Sequence, residues 1–255
     1  MNRWSTRIAV AALIPAAVGL SACSSNQDSS GDTVRVLAAS SLTEAFNTLA
    51  SSFEKLHPGT KVTVSFGASS TIAEQVKGGA PIDVVATAST ATMDQIQQAG
   101  ALKQAPKSFA TNTMEIAVPP TNPGNVTSLS QLADPAVKTV ICAKQVPCGV
   151  AAQKVFENAK LTVTPISYEA DVKAVLARVV AKEAQAGIVY RTDVLASGDK
   201  VKGIEIPAAE NATTTYPIAT VTDSANANEF FQFVLSDEGQ AVLKEQGFGS
   251  PASAQ

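Results

Sequence analysis

Four stretches of this chain place hydroxyls or free backbone amides where a helix is expected to begin. They are Ala38-Ala-Ser-Ser-Leu-Thr-Glu44, Gly67-Ala-Ser-Ser-Thr71, Val146-Pro-Cys-Gly149 and Glu169-Ala-Asp-Val172. A helix N-terminus exposes N–H groups without intrahelical partners and the positive end of the helix dipole, which together attract anions. The hydroxyls of Ser41 and Ser69 add neutral donors, and no Lys or Arg sits in the two serine-containing turns. The chemistry these residues could do is therefore recognition of an oxyanion by hydrogen-bond donors alone. Local roles compete with that reading. Ser41-Leu-Thr-Glu44 and Thr71-Ile-Ala-Glu74 both fit the S-x-x-E capping box, and Asp83 and Asp171 fit helix caps better than catalytic acids.

The elements that must position these turns alternate strand and helix. Thr33 to Ala38, Lys61 to Phe66 and Ile82 to Ala86 read as strands. Between them, Leu42, Ala45, Phe46, Leu49, Phe53 and Leu56 recur at helical spacing. Ile72 to Val76 and Met93 to Ala99 continue the alternation, which implies a parallel sheet covered on both faces. The pattern resumes with strands at Met114 to Val118, Thr139 to Cys142 and Gly187 to Tyr190, and helices at Gly149 to Ala159 and Asp171 to Ala181. Thr215 to Val221 is extended with Pro217 inside it, which points to an edge or a crossing strand. Helices over Asn226 to Leu235 and Gly239 to Gln246 close the chain. The expected fold is α/β with two lobes: 33–112 with 217–255, and 113–216. Two crossing segments, near 109–118 and 214–221, make a hinge, and ligands of open α/β sheets lie beyond the carboxyl ends of the strands. No internal repeat is visible.

The N-terminal region bears on compartment. Arg3 and Arg7 precede an apolar run, Ile8 to Leu20, that is too short for a stable membrane span. Leu20-Ser-Ala-Cys23 resembles the bacterial lipobox, so 1–22 is expected to be a lipoprotein signal peptide, with Cys23 lipidated and the protein anchored to the outer face of the cell membrane. The alternative is an ordinary cleaved signal with an incidental cysteine. Residues 23–32 carry no apolar side chain after Cys23 and read as a flexible tether. The leader takes two of the 19 basic residues and none of the 22 acidic ones, which leaves a net charge of −5. Clusters of Lys and Arg that would mark a nucleic-acid partner are missing. With Cys23 assigned to lipid, Cys142 and Cys148 remain, five residues between them, in an oxidising compartment. A disulfide is expected, two separate buried thiols being the alternative. The single His57 is too distant for a shared metal site.

Taken together, Leu37-Ala-Ala-Ser-Ser-Leu-Thr43, Phe66-Gly-Ala-Ser-Ser-Thr71, Gly79-Ala-Pro-Ile-Asp83, Val146-Pro-Cys-Gly149, Ala170-Asp-Val172 and Ala186-Gly-Ile-Val-Tyr190 resemble, in order and spacing, the bacterial molybdate-binding proteins of ABC importers. The resemblance covers the whole domain after the tether. It implies a type II periplasmic-binding-protein-like fold and a ligand held by the hydroxyls of Ser41, Ser69 and Tyr190 and by the backbone amides of Cys148 and Val172. Alanine is familiar at the position of Cys148; since an amide makes the contact, cysteine should preserve it. The implied ligand is molybdate, tungstate being nearly the same size and expected to bind about as well, and the implied partner is a membrane permease. A monomer with no cofactor is expected. Any metal enters only as the centre of the oxyanion, with no direct protein ligands.

Other functions find less support. Ser52-Phe-Glu-Lys55 matches S-x-x-K, but it falls late in a helix and no Ser-Asp-Asn or Lys-Thr-Gly follows. No G-x-S-x-G elbow exists, and His57 beside Pro58 reads as a solvated helix end. Without the resemblance, Tyr190 reads as a core tyrosine. The chain is not expected to be an enzyme. An organic acid would call for an Arg grip, and only Arg191 lies near a motif. Sulfate, also an unprotonated dianion, is the remaining alternative ligand.

Overall fold

The computed structural model describes residues 33–251. The expected leader, Cys23, the tether and residues 252–255 lie outside the described residues. Among the described residues nine strands and eight helices alternate: β1 Thr33–Ala39, α1 Thr43–Leu56, β2 Lys61–Gly67, α2 Ser69–Lys77, β3 Val84–Ala86, α3 Thr90–Gln98, β4 Lys107–Val118, β5 Thr139–Cys142, α4 Pro147–Asn158, β6 Ser167–Glu169, α5 Val172–Val180, β7 Ala186–Tyr190, α6 Arg191–Ser197, β8 Lys202–Glu205, β9 Thr213–Thr220, α7 Ala225–Leu235 and α8 Asp237–Glu245.

The architecture is mixed α/β and two-lobed. In the first lobe β1 pairs in parallel with β2 and β3, and β3 then pairs antiparallel with β9. In the second, β5 pairs in parallel with β6 and β7. The expected parallel pairing thus holds for β1 with β2 and β3 and for β5 with β6 and β7, but each lobe also contains antiparallel pairs, β3 with β9 in the first and β4 with β7 and β8 in the second. At the join β4 runs antiparallel to β9 over Lys107 to Thr113 and antiparallel to β7 over Met114 to Ala117, so one long strand serves both sheets. A strand that crosses between lobes enters the next sheet without a crossover helix, and the antiparallel pairing follows.

Pro217 lies on β9, and of the two alternatives the sequence offered the crossing strand holds: β9 is flanked on both sides, by β3 and β4, and is no edge. Pro217 faces Ser108, where the β4–β9 register shifts, and a bulge tolerates a residue that cannot donate to the ladder.

Hydrophobic residues segregate accordingly. One core gathers Phe46, Leu49 and Phe53 of α1 with Phe109 and with Phe230 and Phe231 of α7. Another gathers Ile116, Ile141, Val155, Val175 and Ile188. Each large side chain removed from water in this way contributes roughly 1.5–3 kcal/mol. Leu56, expected on the buried stripe of α1, is exposed at its end. His57 caps that helix, with its ring stacked on Phe53 at 4.0 Å. Among the described residues no helix is long and apolar enough to cross a membrane.

Candidate functional site

Ser41, Ser69, Cys148, Val172 and Tyr190, which come from five separate stretches of sequence, line one small cavity. Its lining holds no Lys or Arg; the only ionisable carboxyl is Asp171. Asp171 is the N-cap of α5, where its Oδ1 accepts from the Ala174 N–H at 3.0 Å, as the sequence led one to expect. That cap satisfies the third residue of the helix and leaves the amide of Val172, the first, without an intrahelical acceptor. In the same way Pro147 begins α4, and the Cys148 amide is the first N–H that α4 presents. Ser69 is the first residue of α2.

The capping-box expectations do not survive. Ser41 lies in a tight turn over Ser40–Leu42, ahead of α1, and makes no side-chain cap. Its hydroxyl instead reaches 175 residues along the chain, to the Tyr216 phenol at 3.0 Å. Thr71 sits inside α2, too late to cap it. Asp83 caps nothing either. It accepts from the backbone N–H of Arg35 at 2.9 Å, the Arg35 guanidinium at 3.2 Å and the Thr222 hydroxyl at 3.1 Å, which ties β1 to the chain beyond β9.

The three hydroxyl groups are buried and aimed by different neighbours. Ser69 Oγ accepts from the Ala88 N–H at 2.9 Å, so its one proton is left for another acceptor. The Tyr190 phenol oxygen is fully buried and, among the described residues, has no partner at good hydrogen-bond geometry, although the Tyr216 phenol and the Thr214 hydroxyl lie near enough to influence it. Burial pushes this phenol well above the ordinary tyrosine value, with the neighbouring Tyr216 adding to the effect, so it stays a donor. An unmet buried donor costs roughly 1–3 kcal/mol, which an anion in the cavity would recover.

Cys142 and Cys148 are disulfide-bonded, with Cα atoms 5.7 Å apart. Closing so short a loop stabilises by about 2 kcal/mol in the chain-entropy picture. Here the bond also fixes the start of α4 against the end of β5. Gly149 completes that fit: a Cβ there would overlap the Ala143 carbonyl.

Behind the cavity lies a charge cluster that the sequence did not reveal. Asp193 of α6 is completely buried. Its Oδ2 accepts from the Tyr190 N–H at 3.1 Å, and its Oδ1 pairs with Lys173 Nζ at 3.1 Å. Lys173 also grips both carboxylate oxygens of Glu44, at 2.8 and 2.9 Å, across the gap between α5 and α1. Burial pushes the Asp193 carboxyl up to about 6 despite the pull of Lys173. Burial lowers the affinity of Lys173 for its proton, but Asp193 and Glu44 outweigh it and hold the ammonium above its usual value. Helix α6 begins directly after β7 with no loop between them, so no turn signal separates the two in sequence.

The bacterial extracellular solute-binding protein family model matches residues 34–249. The molybdate-binding protein ModA of Mycobacterium tuberculosis is 35% identical over 263 residues, covering 98% of this chain and all of that one. ModA of Haemophilus influenzae is 29% identical over 265 residues, covering 96% and 98%. The periplasmic molybdate-binding protein of Azotobacter vinelandii shares the fold, with a TM-score of 0.75 at 20% identity over 86% of this chain and 100% of its own. The chain belongs to the family of bacterial extracellular solute-binding proteins.

Proposed function

We propose that this protein captures molybdate, and tungstate about as well, and hands it to the membrane permease of an ABC importer. The observation that carries the reading is the convergence of two serine hydroxyls, an unpartnered phenol and two helix-start amides on one small cavity without a cation. Relatives named for molybdate binding support it along nearly the whole chain. The ligand set is Ser41, Ser69, Cys148, Val172 and Tyr190. The lobes are 33–112 with 217–255, and 113–216, and closure of one on the other encloses the ion.

A site made of donors selects by protonation. Molybdate carries no proton at neutral pH, whereas phosphate keeps one that would meet no acceptor among the five ligand residues, at a cost of roughly 1–3 kcal/mol. Sulfate is excluded only by size. The protein acts as a monomer held outside the cell membrane by a lipid on Cys23, binds no cofactor and performs no chemistry on its ligand.

Isothermal titration with molybdate, tungstate, sulfate and phosphate tests the reading. Tight binding of the first two and weak binding of the others is expected. Sulfate binding as tightly as molybdate would show that size does not decide, and the ligand assignment would fall.

A further inference from the structure

We propose that Tyr216 is a specificity-determining residue of this site: by donating to Ser41 it forces the serine proton into the cavity and so keeps Ser41 from presenting an acceptor to the ligand. The inference rests on the oxyanion reading above. Ser41 and Tyr216 are both buried, their oxygens are 3.0 Å apart, and either could donate. Each hydroxyl has one proton, so the direction of this bond decides what Ser41 shows to a ligand. If Tyr216 donates, Ser41 points a proton at the cavity. If Ser41 donates, the cavity meets a lone pair, which repels a bare dianion and welcomes a protonated one.

The other serine offers the contrast. Ser69 accepts from the backbone N–H of Ala88, a group that can only donate, so its direction is permanent. Ser41 has a reversible partner, and selectivity at that corner depends on how the partner is held. Tyr216 lies on β9, paired on both sides, with its ring edge-on to Phe109 at 6.3 Å, Phe248 at 5.5 Å and Tyr190 at 6.0 Å. Packed on three sides by rings, the phenol is held beside Ser41, with Asn112 and Tyr190 as its other polar neighbours. Burial also pushes its pKa upward, so it keeps the proton that it donates. A dianion oxygen accepting from Ser41 then completes a chain in which each bond polarises the next.

The test is a double-mutant cycle by titration calorimetry on the full chain, using Tyr216→Phe, Ser41→Ala and the double variant, with molybdate and phosphate as ligands. Tyr216→Phe should weaken molybdate about tenfold, the scale of one oriented hydrogen bond, and phosphate by much less. In the Ser41→Ala background it should cost nothing further. Equal losses in both backgrounds, or no loss in either, would make Tyr216 a packing residue and overturn the proposal. A thermal melt without ligand checks that the variants fold. If Tyr216→Phe does not, 3-fluorotyrosine placed at 216 is a stronger donor in the same ring and should tighten molybdate, while unchanged or weaker binding counts against the proposal. If the unaltered protein prefers sulfate, the ligand assignment fails and the same cycle is run with sulfate under the same criteria. If it binds no oxyanion, both fall.

Discussion

Replacing Asp193 with Asn should change how the stability of this protein depends on pH. The carboxyl is completely buried, accepts from the Tyr190 N–H through Oδ2 and faces the Lys173 ammonium through Oδ1. Burial, its dominant influence, pushes it up to about 6 from an ordinary 3.8, and Lys173 opposes the rise without cancelling it. Between those two values the folded chain holds a proton that the unfolded chain has released. Stability contributed by this site is therefore fully present below 3.8, falls as pH rises and levels off above 6. The gap corresponds to ~3 kcal/mol, of which about 2 kcal/mol lies in the accessible range above about pH 4.5.

The amide of the Asp193→Asn variant would not titrate, while Lys173 would keep Glu44 as its partner. Urea unfolding of both proteins from about pH 4.5 to about 7.5 is the assay, and the difference between their curves cancels the other carboxyls. Two of these also depart from ordinary values. Hydrogen bonds from the Val62 amide and Lys61 hold Glu54 low, and burial pushes Glu115 up. The stability of Asp193→Asn relative to the unaltered protein should improve by about 2 kcal/mol across that range. Parallel curves would refute the reasoning, because they would mean that Asp193 suffers no net penalty for ionising where it lies.

Two further outcomes follow from single residues. Ser69→Ala removes a donor from the cavity and strands the Ala88 N–H, so molybdate affinity measured by calorimetry should fall by roughly 1–3 kcal/mol, and an unchanged affinity would take Ser69 out of the site. Cys23→Ser should release the protein from the membrane fraction of producing cells into the soluble fraction, and continued membrane association would count against the lipid anchor.

The fold was legible where local periodicity and long-range packing agree. Phe46, Leu49 and Phe53 repeat at helical spacing because one face of α1 is buried, and the alternation of strand with helix carries the parallel pairing of β1 with β2 and β3 and of β5 with β6 and β7. It was illegible where the cause is distant. Nothing near Ser41 indicates Tyr216, 175 residues away, and the local S-x-x-E pattern suggested a cap that the chain does not make. Asp171 could be read correctly because a cap is satisfied within three residues. The five cavity residues were reached through motifs whose spacing resembles a known family. Physical reasoning from helix starts would have offered Ser41, Ser69, Cys148 and Val172 as candidates but left Tyr190 in the core.

The charge cluster explains how a site without cations can sit beside a lysine. Lys173 directly follows Val172 at the start of α5, the end of the helix where an ammonium is least welcome to the dipole. Unpartnered, it would draw in anions of any size or protonation state, since attraction to a point charge does not discriminate between them. Glu44 and Asp193 occupy it instead. Its charge thereby serves to join α5 to α1 and to fix, through Asp193, the backbone of Tyr190. On the proposed reading, what remains for the ligand is a set of neutral donors aimed by Ala88, Tyr216 and the helix starts. Donors held in this way favour an acceptor in each direction, and a bare tetrahedral dianion supplies them.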